Sequence, residues 1–237
     1  DIRLTAAGQR LLRHAETIVH GWALARQDVA LEPGFTESLA IGCMADLWRI
    51  RVLDWSVQLR EALPDVMLHV EVQPAEVLVQ RLISGTLDLV LMFEPPRIAG
   101  LVASQVSKVA LQMYATRPAL QAAEALAADY IVVDWGSDFA ASHAQHFPDR
   151  IHASMHCGSG GLALDVMLRR GGAAYLASEM ADTALQEQRI HLVQDAPVIH
   201  RYAYAVMRPD GDTRPALQQA VSFVGALAFL ATAAALV

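Results

Sequence analysis

Lysine is nearly missing from this chain. Among 237 residues the one lysine is Lys108, so arginine carries almost all of the positive charge. Acids outnumber bases 25 to 18, for a formal net charge of −7. A surface that tracks phosphates needs the opposite balance, which argues against nucleic-acid binding by this stretch itself. Cysteine is equally scarce. Cys43 and Cys157 are far apart and form no C-x-x-C pair. That excludes a disulfide scaffold and suits a reducing compartment. The opening residues are polar and charged, without the apolar core of an export signal, so the expected setting is cytoplasmic.

Apolar residues, by contrast, are abundant. They make up 54% of the chain against 18% charged residues, and mean hydropathy is +0.30. This is a globular composition on a chain long enough to bury a sizeable core.

The first thirty residues predict one long amphipathic helix. Thr5 is a suitable N-cap, with helix formers through Val29. Leu4, Gly8, Leu11, Ala15, Ile18, Trp22, Ala25 and Val29 recur at alternating steps of four and three, a heptad seam. Such a helix is roughly 37 Å long and cannot bury its stripe on itself. Pro33-Gly34 separates it from the remainder of the chain. It reads either as packed on its own domain or as a dimerisation helix; the Pro-Gly break favours the second, with Leu11, Ala15, Ile18 and Trp22 at the contact.

After Pro33-Gly34 the pattern alternates strand and helix. Strands are predicted at Ser38–Met44, Val66–Gln73 and Leu87–Phe93, with helices at Asp46–Leu63 and Glu76–Ile83. A second run places strands at Tyr130–Trp135, Ile151–Cys157 and Ala173–Ala177, and helices at Leu162–Arg170 and Glu179–Gln188. Near-continuous apolar strands between helices imply parallel sheets covered on both faces. Met113–Arg117 and Tyr202–Arg208 join the halves, predicting a two-lobed body with its ligand at the carboxyl ends of the strands. The expected division is 1–32 for the first helix, 36–112 for lobe I, 113–203 for lobe II, and 204–237 for the return to lobe I and a terminal helix.

Four stretches resemble a known family. "RLTAAGQRLL" is similar to the linker-helix start of LysR-type transcriptional regulators, and "SLAIGCMADLWRIRVLDWSVQLREALPDVMLHVEV" to the opening of their effector domain. "LVQRLISGTLDLVLMFEPP" and "VMLRRGGAAYLASEM" resemble two further elements of that domain, in the right order. The resemblance implies an α/β fold, a two-lobed effector domain like a type 2 periplasmic binding protein, with an N-terminal linker helix. It implies a small-molecule effector, a homodimer or homotetramer, and DNA contact only through a winged helix-turn-helix domain preceding this stretch. Two departures stand out. Ser178 lies near the family's usual proline, and Asp46 stands where many relatives carry Ser or Thr.

Strand ends that meet helix starts offer free N–H groups and the positive end of a helix dipole. The candidate ligand contacts are therefore Met44, Ala45 and Asp46, with Phe93 at the rim, and Trp135, Ser137, Cys157 and Ser159 in the second lobe. Asp46 and Ser159 read equally as N-caps, Gly158, Gly160 and Gly161 as turn geometry, and Trp135 as a core aromatic. As a cap, Asp46 is expected to fill its own helix start, leaving the Ser159 helix for any anionic group of the ligand. Cys43 and Cys157, each expected at a strand end facing the cleft, one per lobe, with Cys157 at a helix start that would lower its pKa, raise a redox reading, against two small buried hydrophobes.

Nothing in the pattern suggests catalysis, a cofactor or a metal. His152 and His156 share a strand face but are about 14 Å apart if extended, too far for one ion. His143 and His146 lack a third ligand nearby. "GSGG" has neither a P-loop lysine nor dinucleotide spacing. The alternative to a regulator is a solute-binding protein for transport, which a heptad helix does not suit. The tail Ala220–Val237 has 18 residues without a charge, the lower limit for a membrane span. Its alanine richness and missing basic anchors favour a buried helix and no membrane contact.

Overall fold

The computed structural model describes residues 31–148, 153–209 and 214–234, the last ten as backbone only. Before residue 31 it describes positions 5, 7, 8, 11, 14, 15, 18, 21, 22, 25 and 29. Leu4 of the predicted seam and His152 of the histidine pair lie outside the described residues.

Every described position from 7 to 29 is helical, and this helix is α1. Thr5 caps it, its hydroxyl oxygen accepting from Gly8 N–H at 3.1 Å. Leu11, Ile18 and Trp22 are 67–70% exposed, so the stripe is not consumed by packing on the chain's own body.

The rest forms two compact units. Unit 1 contains residues up to Met44, Asp54–Ser104, and the chain from Tyr204 onward into the last helix; unit 2 contains Ala45–Leu53 and Gln105–Ala203. Two long strands, β4 (Val102–Ala115) and β9 (Ile199–Met207), carry the chain from one to the other.

In unit 1, β1 (Glu37–Cys43) lies parallel to both β2 (Val66–Val72) and β3 (Leu89–Met92), and β9 runs antiparallel to β3. β1 and β3 are buried along nearly their whole length, as a central parallel strand must be. Helix α4 (Ala75–Ile83), opening after Pro74, sets Leu78, Val79 and Leu82 against Ala40, Leu87, Val90 and Val206. Gly42 permits that approach: a Cβ there would stand 2.7 Å from a Leu87 methyl.

The helix after β1 is not uniform. It is α2 (Ala45–Leu47), a π-helical turn (Trp48–Val52), then α3 (Leu53–Ala62). A π turn inserts a residue into the ladder and re-aims the side chains before it, a device concentrated at functional sites. Here it divides the segment between the units.

In unit 2, β5 (Tyr130–Val133) lies parallel to β6 (Ala153–Cys157) and β7 (Ala173–Ala177). β4 runs antiparallel to β7 and to the short β8 (His191–Leu192). Helices α5 (Ala122–Ala127), α6 (Ser137–His146), α7 (Gly160–Arg170) and α8 (Ser178–Gln186) complete it.

The sequence marked Met113–Arg117 as one joining segment, but the strand there begins at Val102, its first half exposed and weakly patterned. The terminal helix α9 (Pro215–Ala234) buries Ala216, Leu217, Ala220 and Val224 within unit 1. Among the described residues no helix is long and apolar enough to cross a membrane.

Candidate functional site

The start of α7 is the most elaborate polar constellation in unit 2. Its first three free donors are all engaged. Ser159 is the N-cap, its Oγ accepting from Leu162 N–H at 3.3 Å. Gly160 and Gly161 N–H donate to Asp46 Oδ2 and Oδ1 at 3.0 and 3.2 Å.

Two expectations are corrected here. Gly160 and Gly161 are the opening residues of α7 rather than a turn before it, because the carboxylate satisfies the amides that a helix start leaves open. Asp46 does not fill its own helix start. It sits within α2, 7% exposed, and aims at a helix 114 residues away. The Ser159 helix therefore does not stand open for an anionic ligand.

The surroundings hold that carboxylate in place. A Cβ on Gly160 would lie 2.5 and 2.8 Å from two ring carbons of Trp135, so only glycine lets the helix start come this close. Trp135 is 1% exposed and its indole N–H donates to the Tyr175 carbonyl at 2.9 Å. The Arg49 side chain runs over Gly161, its Nε 3.4 Å from where a Cβ would be. Beside it, Arg51 pairs with Glu179 at 2.9 Å. Burial raises the Asp46 carboxyl above its ordinary value; the two amide bonds and the Arg49 charge pull it down without fully offsetting burial.

A cavity of about 560 Å³ lies on the α6 side of β5 and β6, within the size range of small-molecule pockets. Trp135 and Cys157 are in its lining, with Tyr130, Phe139, His143 and His156; Ser137 and Ser159 are not. Tyr130 Oη and His143 Nε2 are 2.9 Å apart. Burial, with His146 beside it, lowers the His143 pKa and keeps the ring neutral. No local pattern signals this pair, because it needs β5 and α6 folded together. Among the described residues no cluster of three metal-type side chains forms.

The remaining candidates divide between the two units. Ser137 opens α6 and is exposed, and Ala45 opens α2 and is exposed. Met44 packs on the unit 1 core, and Phe93 is 6% exposed after β3. Ser178, at the departure from the family pattern, donates to Glu179 Oε2 at 3.0 Å.

The redox reading expects Cys157 to be activated by its helix start. Burial instead raises its pKa, and α7 begins three residues later with its first amides given to Asp46 and Ser159. Cys43 is fully buried in unit 1 and pushed up to about 12. Both thiols should stay protonated and inert at neutral pH. Titration of the native protein with a disulfide reagent should show slow labelling, unchanged by prior peroxide. Rapid loss of either thiol to peroxide would restore the redox reading.

Comparison with known proteins decides the family. The model of the LysR substrate binding domain matches residues 33–228. The chain belongs to the LysR substrate-binding-domain family. The HTH-type transcriptional regulator HdfR of Yersinia enterocolitica is 29% identical over 230 residues, covering 92% of this chain and 76% of that protein. HdfR of Yersinia pestis is 28% identical over the same shares. CrgA, a LysR-type regulator from Neisseria meningitidis, superimposes with a TM-score of 0.66 at 17% identity, over 95% of this chain and 80% of that one. Vibrio fischeri DarR, solved with DNA, gives 0.67 at 15% identity over 94% and 80%. At these identities the structures establish the fold alone. This LysR chain is thus the effector-binding domain of a transcriptional regulator, a reading the relatives favour over a solute-binding protein of a transport system.

Proposed function

We propose that this chain senses a small molecule at the α7 start of unit 2, where Ala45, Asp46, Trp135, Ser137, Cys157 and Ser159 belong to the sensing region. The observation that carries the reading is Asp46. A carboxylate 7% exposed, bound to two amides of a distant helix, is a costly arrangement for structure alone. In a LysR effector domain it is well suited to report occupancy, since any molecule that changes its bonds shifts the balance between conformations.

The chain acts as a sensor and catalyses no reaction. It works in the cytoplasm and assembles as a homodimer or homotetramer through α1, with Leu11, Ala15, Ile18 and Trp22 at the seam. DNA is read by a separate helix-turn-helix domain, in keeping with the net charge of −7 here.

The test is a thermal-shift screen of small metabolites, followed by a mobility shift of the DNA-binding regulator with and without each stabilising compound. A stabilising compound should change promoter binding by the regulator, and this chain by itself should show no sequence-specific shift. Stabilising compounds that leave promoter binding unchanged, or that are chemically consumed, would overturn the sensor reading.

A further inference from the structure

The cavity beside α6 has a physical origin in how that helix packs. Phe139 and His143 turn their rings toward Tyr175 on β7, with centroids 5.5 Å away in both cases, and His143 stacks on Tyr130 of β5 at 5.8 Å. The helix is thereby drawn toward β5 and β7. β6 is the edge strand beyond them, exposed along its middle. Val132 pairs with His156 in the β5–β6 ladder, and both line the space left beside the helix. The result is the cavity of about 560 Å³.

Its polar end is Tyr130–His143. Tyr130 is the first residue of β5, so this pair lies at the strand start, away from the α7 start where sensing is placed. His143 is 8% exposed and Tyr130 1%. Tyr130 Oη and His143 Nε2 share one hydrogen bond of 2.9 Å. In one tautomer the hydroxyl donates to Nε2, and Oη keeps a lone pair for a ligand donor. In the other, Nε2–H donates, and the hydroxyl proton is free for a ligand acceptor. The pair therefore accommodates either kind of polar group. Around it are the flat faces of Phe139 and Trp135. Among the described residues no arginine or lysine lines the cavity, and Asp134 adds a carboxylate. An anion would be desolvated there without a fixed cation.

We propose that this cavity binds an uncharged, flat aromatic molecule bearing one N–H or O–H, its rings beside Phe139 and its polar group on the Tyr130–His143 pair. The volume suits a small molecule of one or two fused rings. The pocket goes beyond the sensing region, with which it shares Trp135 and Cys157, and it does not depend on the sensor reading.

The experiment is a ligand-observed NMR titration of this chain at pH 8 with indole, with indene (the same shape without the N–H) and with benzoate. Indole should bind saturably, and indene about fivefold more weakly, the worth of one neutral hydrogen bond. Benzoate should not compete. Val132→Phe, which places a ring in the cavity, should abolish indole binding while the chain still melts cooperatively. Tyr130→Phe with His143→Phe removes both polar partners at nearly constant shape, and should bind indole and indene equally. If that double variant does not fold, the indole-to-indene ratio of the unsubstituted chain and the Val132→Phe result still decide. No saturable indole binding, equal binding of indole and indene by the unsubstituted chain, benzoate as tight as indole, or undiminished indole binding by folded Val132→Phe would each overturn the proposal. DNA takes no part in this measurement, so losing the pocket and losing the sensor reading are separate results.

Discussion

Arg214→Met is expected to destabilise unit 1 by about 3–5 kcal/mol, the usual consequence of leaving a buried ionic partner uncompensated. Arg214 stands immediately before α9 and donates in three directions: to the Glu37 carboxylate at 2.9 Å, to the Asp88 carboxylate, and to the Ser38 carbonyl. It thereby ties the last helix to the start of β1 and to the residue just before β3. Asp88 is 1% exposed, and its other oxygen accepts from Ala40 N–H at 2.8 Å. Methionine keeps the length of the side chain and most of its apolar contact, so the loss is chiefly electrostatic. Asp88 is left with one backbone donor and no cation. The double variant Arg214→Met, Asp88→Asn should recover part of the loss, because the stranded charge is gone while the asparagine oxygen still accepts from Ala40. Urea unfolding midpoints of the two single variants and the double variant measure this directly. A cost under about 1 kcal/mol for Arg214→Met would place the pair with solvent-screened surface bridges instead.

How far the sequence could lead depends on the range of the interactions concerned. β7 is predicted residue for residue, because a wholly apolar run between Gly172 and a helix start has few other fates. α4 starts where Pro74 permits, and α1 is capped by the predicted threonine. These are local rules of capping, period and breaker residues. β4 escaped in its first half because an exposed strand need not alternate. The π turn at Trp48–Val52 has no local signature, since any good helix-forming stretch can accommodate one inserted residue. The site shows the same split. Asp46, Ser159 and the glycines are legible as chemistry that helix starts attract. Their pairing is not, because a carboxylate reaching amides at Gly160 and Gly161 is a tertiary fact. The sequence could say that an acid and a helix start were present; only the folded chain shows that each satisfies the other.

Ile18→Asp is expected to abolish self-association while leaving the fold of each chain untouched. Ile18 lies midway along α1 and is 70% exposed, with Leu11 and Trp22 each 67% exposed on the same heptad seam. An aspartate at that position costs the isolated chain almost nothing, because the residue it replaces has few neighbours within the chain to lose. In a two-helix seam the balance differs. Each assembly places two Ile18 side chains at the contact, so the substitution buries or strands two carboxylates at once, and like charges face each other across the seam. A penalty of a few kcal/mol corresponds to association weakened on the order of a hundredfold or more. Ile18→Leu, which keeps the apolar contact, should associate like the parent. Sedimentation equilibrium at micromolar concentration reads the assembly, and melting of the monomeric variant at high dilution reads the fold. An unsubstituted chain that sediments as a monomer, or an Ile18→Asp chain that associates as tightly as the parent, would remove α1 as the assembly element. The exposed stripe would then have to be covered by a different partner.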